Sequence, residues 1–212
     1  MINAFSNFPE YIITSIISSI SIVIGAVIGG IFSWIVTKKS TDKTIEVQNK
    51  IVEDNRRYSE SIRVKKSREC ANIIRLDICT ALFICIRTLK TFVNKENVDI
   101  YPIPMDKNYS SGVAYLKADF KLKELSYIYQ LYGIIEKLNK DATNINYFDK
   151  KSFDIVKTDI ELFLKKVYDK NFIKILNVNI DEIGYEELYD NELAKTGYRK
   201  VLKKLDTICI NE

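Results

Sequence analysis

Histidine is absent from all 212 residues. Its absence removes the side chain most used as general base and metal ligand near neutral pH. Ser-His-Asp and Cys-His catalysis are thereby excluded, along with most zinc enzymes. Cysteine is scarce: Cys70, Cys79, Cys85 and Cys209, with no Cys-x-x-Cys pair, so a zinc or redox motif is disfavoured. Cys70, Cys79 and Cys85 fall in an apolar helical pattern, where a free cysteine behaves as a small hydrophobe. Of the seven glycines, three sit together in "GAVIGG" and four are scattered, so no loop is built to cradle phosphate. Segments of strand period longer than a few residues are also missing, which leaves helices throughout. These absences point away from an enzyme and imply no catalytic residue, cofactor or metal.

A strong charge imbalance is lacking as well. The net charge of +4 argues for no polyanionic partner, and nucleic acid is disfavoured. Hydrophobic residues make up 47% and charged residues 28%, ordinary values for a folded chain. Ile, Lys, Asn and Tyr are abundant together, as AT-rich codon usage produces, so the 13 tyrosines are not a functional enrichment.

The most informative absence is local. No charged residue occurs from Tyr11 to Thr37. As a helix this run spans roughly 40 Å, enough for a hydrocarbon core of ~30 Å with some tilt. The first nine residues contain no Lys or Arg, and no small-x-small cleavage site ends the run, so a removable export signal fits badly. The run reads as a transmembrane helix over 11–37, preceded by a short extracytoplasmic tail over 1–10. Lys38, Lys39, Lys43 and Lys50 follow it, whereas Glu10 alone carries charge before it. The positive-inside rule then places the N-terminus outside and the remainder in the cytoplasm, anchored to the inner (plasma) membrane by a single pass. Tyr11 and Trp34 lie near the two ends, as interfacial aromatics do. Lys38, Lys39 and Lys43 are near enough to meet anionic lipid.

Small residues recur within the run. Ser21, Gly25, Gly29 and Ser33 are four apart and form one strip, which Ala26 and Gly30 widen. Lipid gives helices no hydrophobic reason to pair, so close approach at small residues supplies the packing, and a homo-oligomer is expected through this face. The hydroxyls of Thr14, Ser15, Ser18 and Ser19 either line a polar seam or bond back to their own backbone. No ionisable residue inside the run marks a pore.

Residues 38–69 read as a charged helical stalk. Apolar positions are sparse, and Asp54 and Ser61 interrupt the heptad spacing of Val47, Ile51 and Tyr58, so a strict coiled coil is not supported. From Lys38 to Lys90 the net charge is +6. Arg56, Arg57, Arg63, Lys65, Lys66 and Arg68 stand roughly 30–45 Å beyond the bilayer if the helix is straight, outside a Debye length of about 8 Å. They form either a solvated face or a surface for an acidic cytoplasmic protein partner or nucleic acid, and the lack of an aromatic platform among the charges favours the solvated face.

From Cys70 to 212 a cytoplasmic helical bundle is expected. Ile73, Ile74, Ile78, Ala81, Leu82, Cys85, Ile86 and Leu89 recur at three- and four-residue steps in a core helix ending near Val93. Asn94 to Gly112 reads as a loop and Ala114 to Lys140 as a long helix with the stripe Leu122, Leu125, Ile128, Tyr129, Tyr132, Ile135 and Leu138. A third helix covers 150–170, with Phe153, Val156, Ile160, Phe163, Leu164 and Val167 on one face. Residues 185–208 supply one or two more helices, with a break at Gly197. Asp77 lies in the apolar stripe of its helix, where a carboxylate needs a partner. Asp154, Asp159 and Glu161, and likewise Glu124 and Glu136, show no pattern for a metal pair. The acidic run Asp181, Glu182, Glu186, Glu187, Asp190 and Glu192 either docks on the basic stalk of a neighbour or opens a helix.

The uncharged glycine-containing span, the charged stalk and "LKELSYIYQLYGIIEKLN" (Leu122 to Asn139) together resemble small bacterial single-span membrane proteins, some encoded beside mobile elements or defence genes. The resemblance implies an all-helical membrane effector, with phage defence as a setting, and transfers no site residue. Two functions are therefore expected as alternatives. One is a membrane-anchored, self-associating scaffold, sensor or effector without enzymatic activity. The other is a tethered helical domain that binds a small ligand, or has an unrecognised activity, through a groove of Tyr127, Tyr129, Tyr132 and Tyr168.

Overall fold

The computed structural model describes residues 9–94, 99–146 and 148–210, and these are helical with no strand among them. The first eight residues of the expected tail and positions 95–98 of the expected loop lie outside the described residues. By compactness the chain divides into two units, Met1–Ser61 and Ile62–Glu212.

One helix dominates. α1 runs from Glu10 to Asn94 over 85 residues. Pro9 precedes it, a residue that cannot continue a helix backward, and Ile12 N–H bonds the Pro9 carbonyl at 2.9 Å. Between Ile31 and Asn94 there is neither glycine nor proline, so nothing breaks the i to i−4 ladder. Among the described residues of the first unit α1 is the one element, and apart from the half-buried Ile12 and Ile13 its apolar side chains are exposed. α1 is also long and apolar enough to cross a membrane.

The second unit has an apolar core. From α1, Ile74, Ile78, Leu82, Cys85, Ile86 and Leu89 enter it at helical spacing, each at most 1% exposed. α2 (Tyr109–Tyr115), α3 (Leu122–Thr143), α4 (Lys150–Tyr168), α5 (Phe172–Ile175), α6 (Tyr185–Tyr189) and α7 (Thr196–Ile210) complete the unit. α3 packs mainly against α4 and α7. Asp149 caps α4 by accepting the Lys151 N–H at 3.0 Å. Asp169, at φ 54°, stops it in a conformation uncommon for a residue with a side chain.

Three sequence expectations differ from the structure. The loop after α1 ends sooner, because α2 starts at Tyr109, whose ring stacks on Tyr132 at 4.0 Å between centroids and 2° between planes. The helix expected over 114–140 is broken: a 3₁₀ turn at Leu116–Ala118 leads to an extended Lys121, whose N–H bonds the Glu124 carboxylate at 2.8 Å. This pairing opens α3 in the manner of a capping box, and it turns the stripe: Leu131 is buried, while Leu122 and Tyr129 are exposed. The last break falls at Asp190–Lys195 and not at Gly197, which lies in the first turn of α7. The Cα of Gly197 faces the Tyr127 ring closely enough that an added Cβ would sit 3.0 Å from it, so a larger residue there would have to displace the ring.

Candidate functional site

The first candidate surface is α1 within Met1–Ser61. The residues expected to pack in a membrane all lie on this helix and are exposed: Ser21, Gly25, Ala26, Gly29, Gly30 and Ser33. A Cβ built on Gly25, Gly29 or Gly30 meets nothing within 4 Å, so none of these glycines is needed for packing within the chain. The hydroxyls of Thr14, Ser19 and Ser21 bond the carbonyls of Glu10, Ser15 and Ile17 at 2.8–2.9 Å. Of the two roles open to Thr14 and Ser19, the structure shows the backbone bond, which satisfies these hydroxyls within the helix itself.

Lys38, Lys39 and Lys43 are exposed on the next turns. The Lys38 ammonium stands 5.5 Å from the Trp34 ring centre, a cation–π arrangement at the end of the charge-free run. Arg56 is exposed, and Arg57 donates to Glu53 at 3.2 Å as an i,i+4 pair. The other four expected partner-binding residues belong to the second unit. Lys65 is exposed. Lys66 pairs with Glu69 at 3.8 Å and stands 5.9 Å from the Tyr115 ring. Arg63 and Arg68 line a cavity of about 170 Å³ with Val64, Ser67, Asp119 and Ile208. Buried Ser67 donates to Asp119 there at 3.0 Å.

Asp77 has the partner that its place in the stripe demands. Its Oδ2 accepts the Tyr132 hydroxyl at 2.8 Å and the Asp106 N–H at 2.9 Å. Burial pushes its carboxyl above the usual range and the two donors oppose that. Asn139 clasps the same loop, accepting the Ile103 N–H at 2.6 Å and donating to the Ile103 carbonyl at 2.9 Å. These polar groups fasten the Pro102-Ile103-Pro104 segment to helices α1 and α3, which accounts for them as packing. A cavity of about 460 Å³ lies beside it, lined by Met105, Lys107 and Glu136 among others.

A second polar cluster ties α1 to α6 and α7. Arg75 donates a hydrogen bond to Asp206 at 2.9 Å and forms a longer ion pair with Glu186 at 3.6 Å, and Tyr189 donates its hydroxyl to Asp206. The hydrogen bond to Asp206 holds the Arg75 guanidinium above its usual range. These groups adjoin a cavity of about 250 Å³ that Cys79, Tyr185 and Glu187 also line. Burial pushes the Cys79 thiol up to about 12, so it stays protonated and unreactive near neutral pH.

Sequence reasoning missed Asp159, which points inward from α4 and is 3% exposed. Lys137 donates to its Oδ1, while Oδ2 is buried without a hydrogen-bond donor. Burial pushes this carboxyl above the usual range, Lys137 opposes the shift and Asp141 adds to it. The expected acidic run is divided in use: Asp190 accepts from Arg199 at 2.8 Å and Lys203 at 2.9 Å, and Glu186 turns to Arg75. The expected tyrosine groove is dispersed. Tyr132 and Tyr168 are fully buried, the latter donating to the Leu188 carbonyl at 2.6 Å. Tyr127 faces Tyr198, and Tyr129 meets Tyr109 edge-on. None of the four lines the cavities above. Among the described residues no group of three or more carboxylates or thiols is placed to hold a metal ion.

No family model, curated protein or solved structure matches this chain.

Proposed function

We propose that the chain is a membrane-anchored, self-associating helical protein that acts as a scaffold, sensor or effector without enzymatic activity. In this reading Tyr11–Thr37 crosses the inner membrane once, the N-terminus lies outside, and the rest occupies the cytoplasm. One observation carries it: among the described residues nothing in the charge-free stretch of α1 is buried, and apart from the half-buried Ile12 and Ile13 every side chain of it is exposed. Roughly 20 apolar side chains held in water would be a large exposed patch, and a hydrocarbon core is the solvent that suits them. The flanking lysines supply the orientation, and the uncovered glycines supply a surface on which a second helix can approach closely. The setting, with phage defence as the candidate, rests on the resemblance in layout.

Fractionation tests the anchor. The full chain should sediment with membranes through high-salt and carbonate washes and come free in detergent, while a chain lacking residues 1–37 should be soluble. A full chain that stays in the supernatant without detergent would end this reading. The assembly is tested on the same material by Gly25→Leu with Gly29→Leu, which should abolish chemical crosslinking between copies. Unchanged crosslinking would remove the glycine face from the account.

A further inference from the structure

We infer that the stretch of α1 beyond the proposed span pairs with the same stretch of a second copy, parallel and in register, along one row that prolongs the glycine strip. The inference rests on the self-association proposed above and states how far it extends and in which geometry.

The row follows from helical phase. α1 is α-helical throughout Ser21–Ser61. At ~3.6 residues per turn, about 18 residues make five whole turns, so positions that far apart fall on one line. Val47 lies on the line of Gly29, Ile51 on that of Ser33, and Tyr58 on that of Ser40. The strip that begins with small residues thus continues as larger apolar ones, and these are 57%, 53% and 67% exposed. Ile45 and Val52, the other apolar side chains between Lys38 and Ser61, lie about 120–140° around the helix at ~100° per residue. Among the described residues of its unit the apolar row faces no other element.

The two edges of the row differ in charge. Lys43, Glu46, Lys50, Glu53 and Arg57 follow one edge in three- and four-residue steps, with alternating sign. Thr37, Thr41, Thr44, Gln48, Asn55 and Ser59 follow the other and carry no charge. In a parallel two-fold pair each edge meets the opposite edge of its partner. The charged edge therefore meets an uncharged one on both sides of the seam, and like charges never face each other there. Antiparallel pairing would set the charged edge against itself, and two chains inserted in the same sense cannot adopt it. A second copy anchored by the same span meets this register automatically, which is why the occupant is another copy of this chain. Asp54 is the one charge on the row itself. Two copies bring their Asp54 carboxylates together, so Asp54 weakens the pair.

Cysteine scanning of the full chain in membranes tests the inference, in a Cys209→Ser background because the other native thiols are buried. Ser33→Cys, Val47→Cys, Ile51→Cys and Tyr58→Cys should each give homodimers on oxidation, several-fold more than Ile45→Cys or Val52→Cys. Asp54→Leu should raise the yield at Val47→Cys and Tyr58→Cys. Crosslinking at Ser33→Cys without crosslinking at the three stalk positions overturns this inference and leaves the self-association of the span standing. Failure at every position, Ser33→Cys included, removes both. Equal yields around the whole helix, or adducts with a different protein in place of homodimers, also overturn it.

Discussion

The two stretches of α1 make the instructive comparison. Tyr11–Val36 and Ser67–Leu89 are both rich in Ile, and both lie in one unbroken helix. In the second stretch apolar side chains recur on one arc and are buried against other helices, while Arg75 and Arg87 occupy other positions. In the first stretch they spread around the helix on both sides of the small-residue strip, no charge intervenes, and among the described residues none of them is buried. Helix propensity is shared, so it decides neither outcome. The distribution of charge separates a stretch that water can solvate on its free side from one whose surface carries no charge at all.

The comparison breaks if a core position and a stalk position respond alike. Leu82, fully buried, should cost about 2–5 kcal/mol on Leu82→Ala. Ile51, half exposed on the same helix, should change the folding free energy of the second unit by no more than about 0.5 kcal/mol on Ile51→Ala. Thermal unfolding followed by circular dichroism measures both, and a comparable loss at Ile51 would mean that the first unit takes part in the core.

A smaller effect should follow at the polar contacts that hold α1 to the loop. Tyr132→Phe removes one of the two donors on Asp77 and should cost about 1–3 kcal/mol by leaving a partly buried carboxylate underserved. Asp77→Asn in the same chain should recover part of it, since a neutral side chain asks less of its surroundings. No recovery would mean that the hydroxyl matters for packing and not for the charge.

The smallest effect is one of pH. A raised carboxyl pKa favours the protonated folded form, so its stabilising contribution is full below the ordinary value of 3.8 and is lost as pH rises through the higher folded value. Unfolding of wild type and Asp159→Asn, compared between acid and neutral pH, should show wild type losing ground to the variant as pH rises. The opposite slope would mean that Lys137 outweighs burial at this site.

The helical class, the continuous first helix, the third helix with its buried face and the need of Asp77 for a partner were all legible, because each depends on spacing within one element. Leu131, Asp159 and Asn139 were not. The exposed turn of α3 at Leu122 depends on Phe120 being buried and Lys121 extended just before it, which periodicity does not encode. In sequence Asp159 groups with Asp154 and Glu161 as a carboxylate of no metal pattern, and only the approach of α3 with Lys137 makes an inward one tolerable. The clasp of Asn139 on Ile103 joins residues 36 apart in sequence, beyond any local pattern. The tyrosines illustrate the same limit: Tyr132 and Tyr168 are buried, Tyr129 is exposed, and each meets a different set of neighbours.

That clasp has one more consequence. The backbone around Ile103 and Asp106 belongs to no helix, and side chains of α3 and α1 hold it still. Its order is borrowed, and it is forfeited as soon as those two helices part, before either one uncoils. Proteolytic nicking in this stretch would then be an early alarm for separation of the core, in a chain where most of the backbone would still look helical.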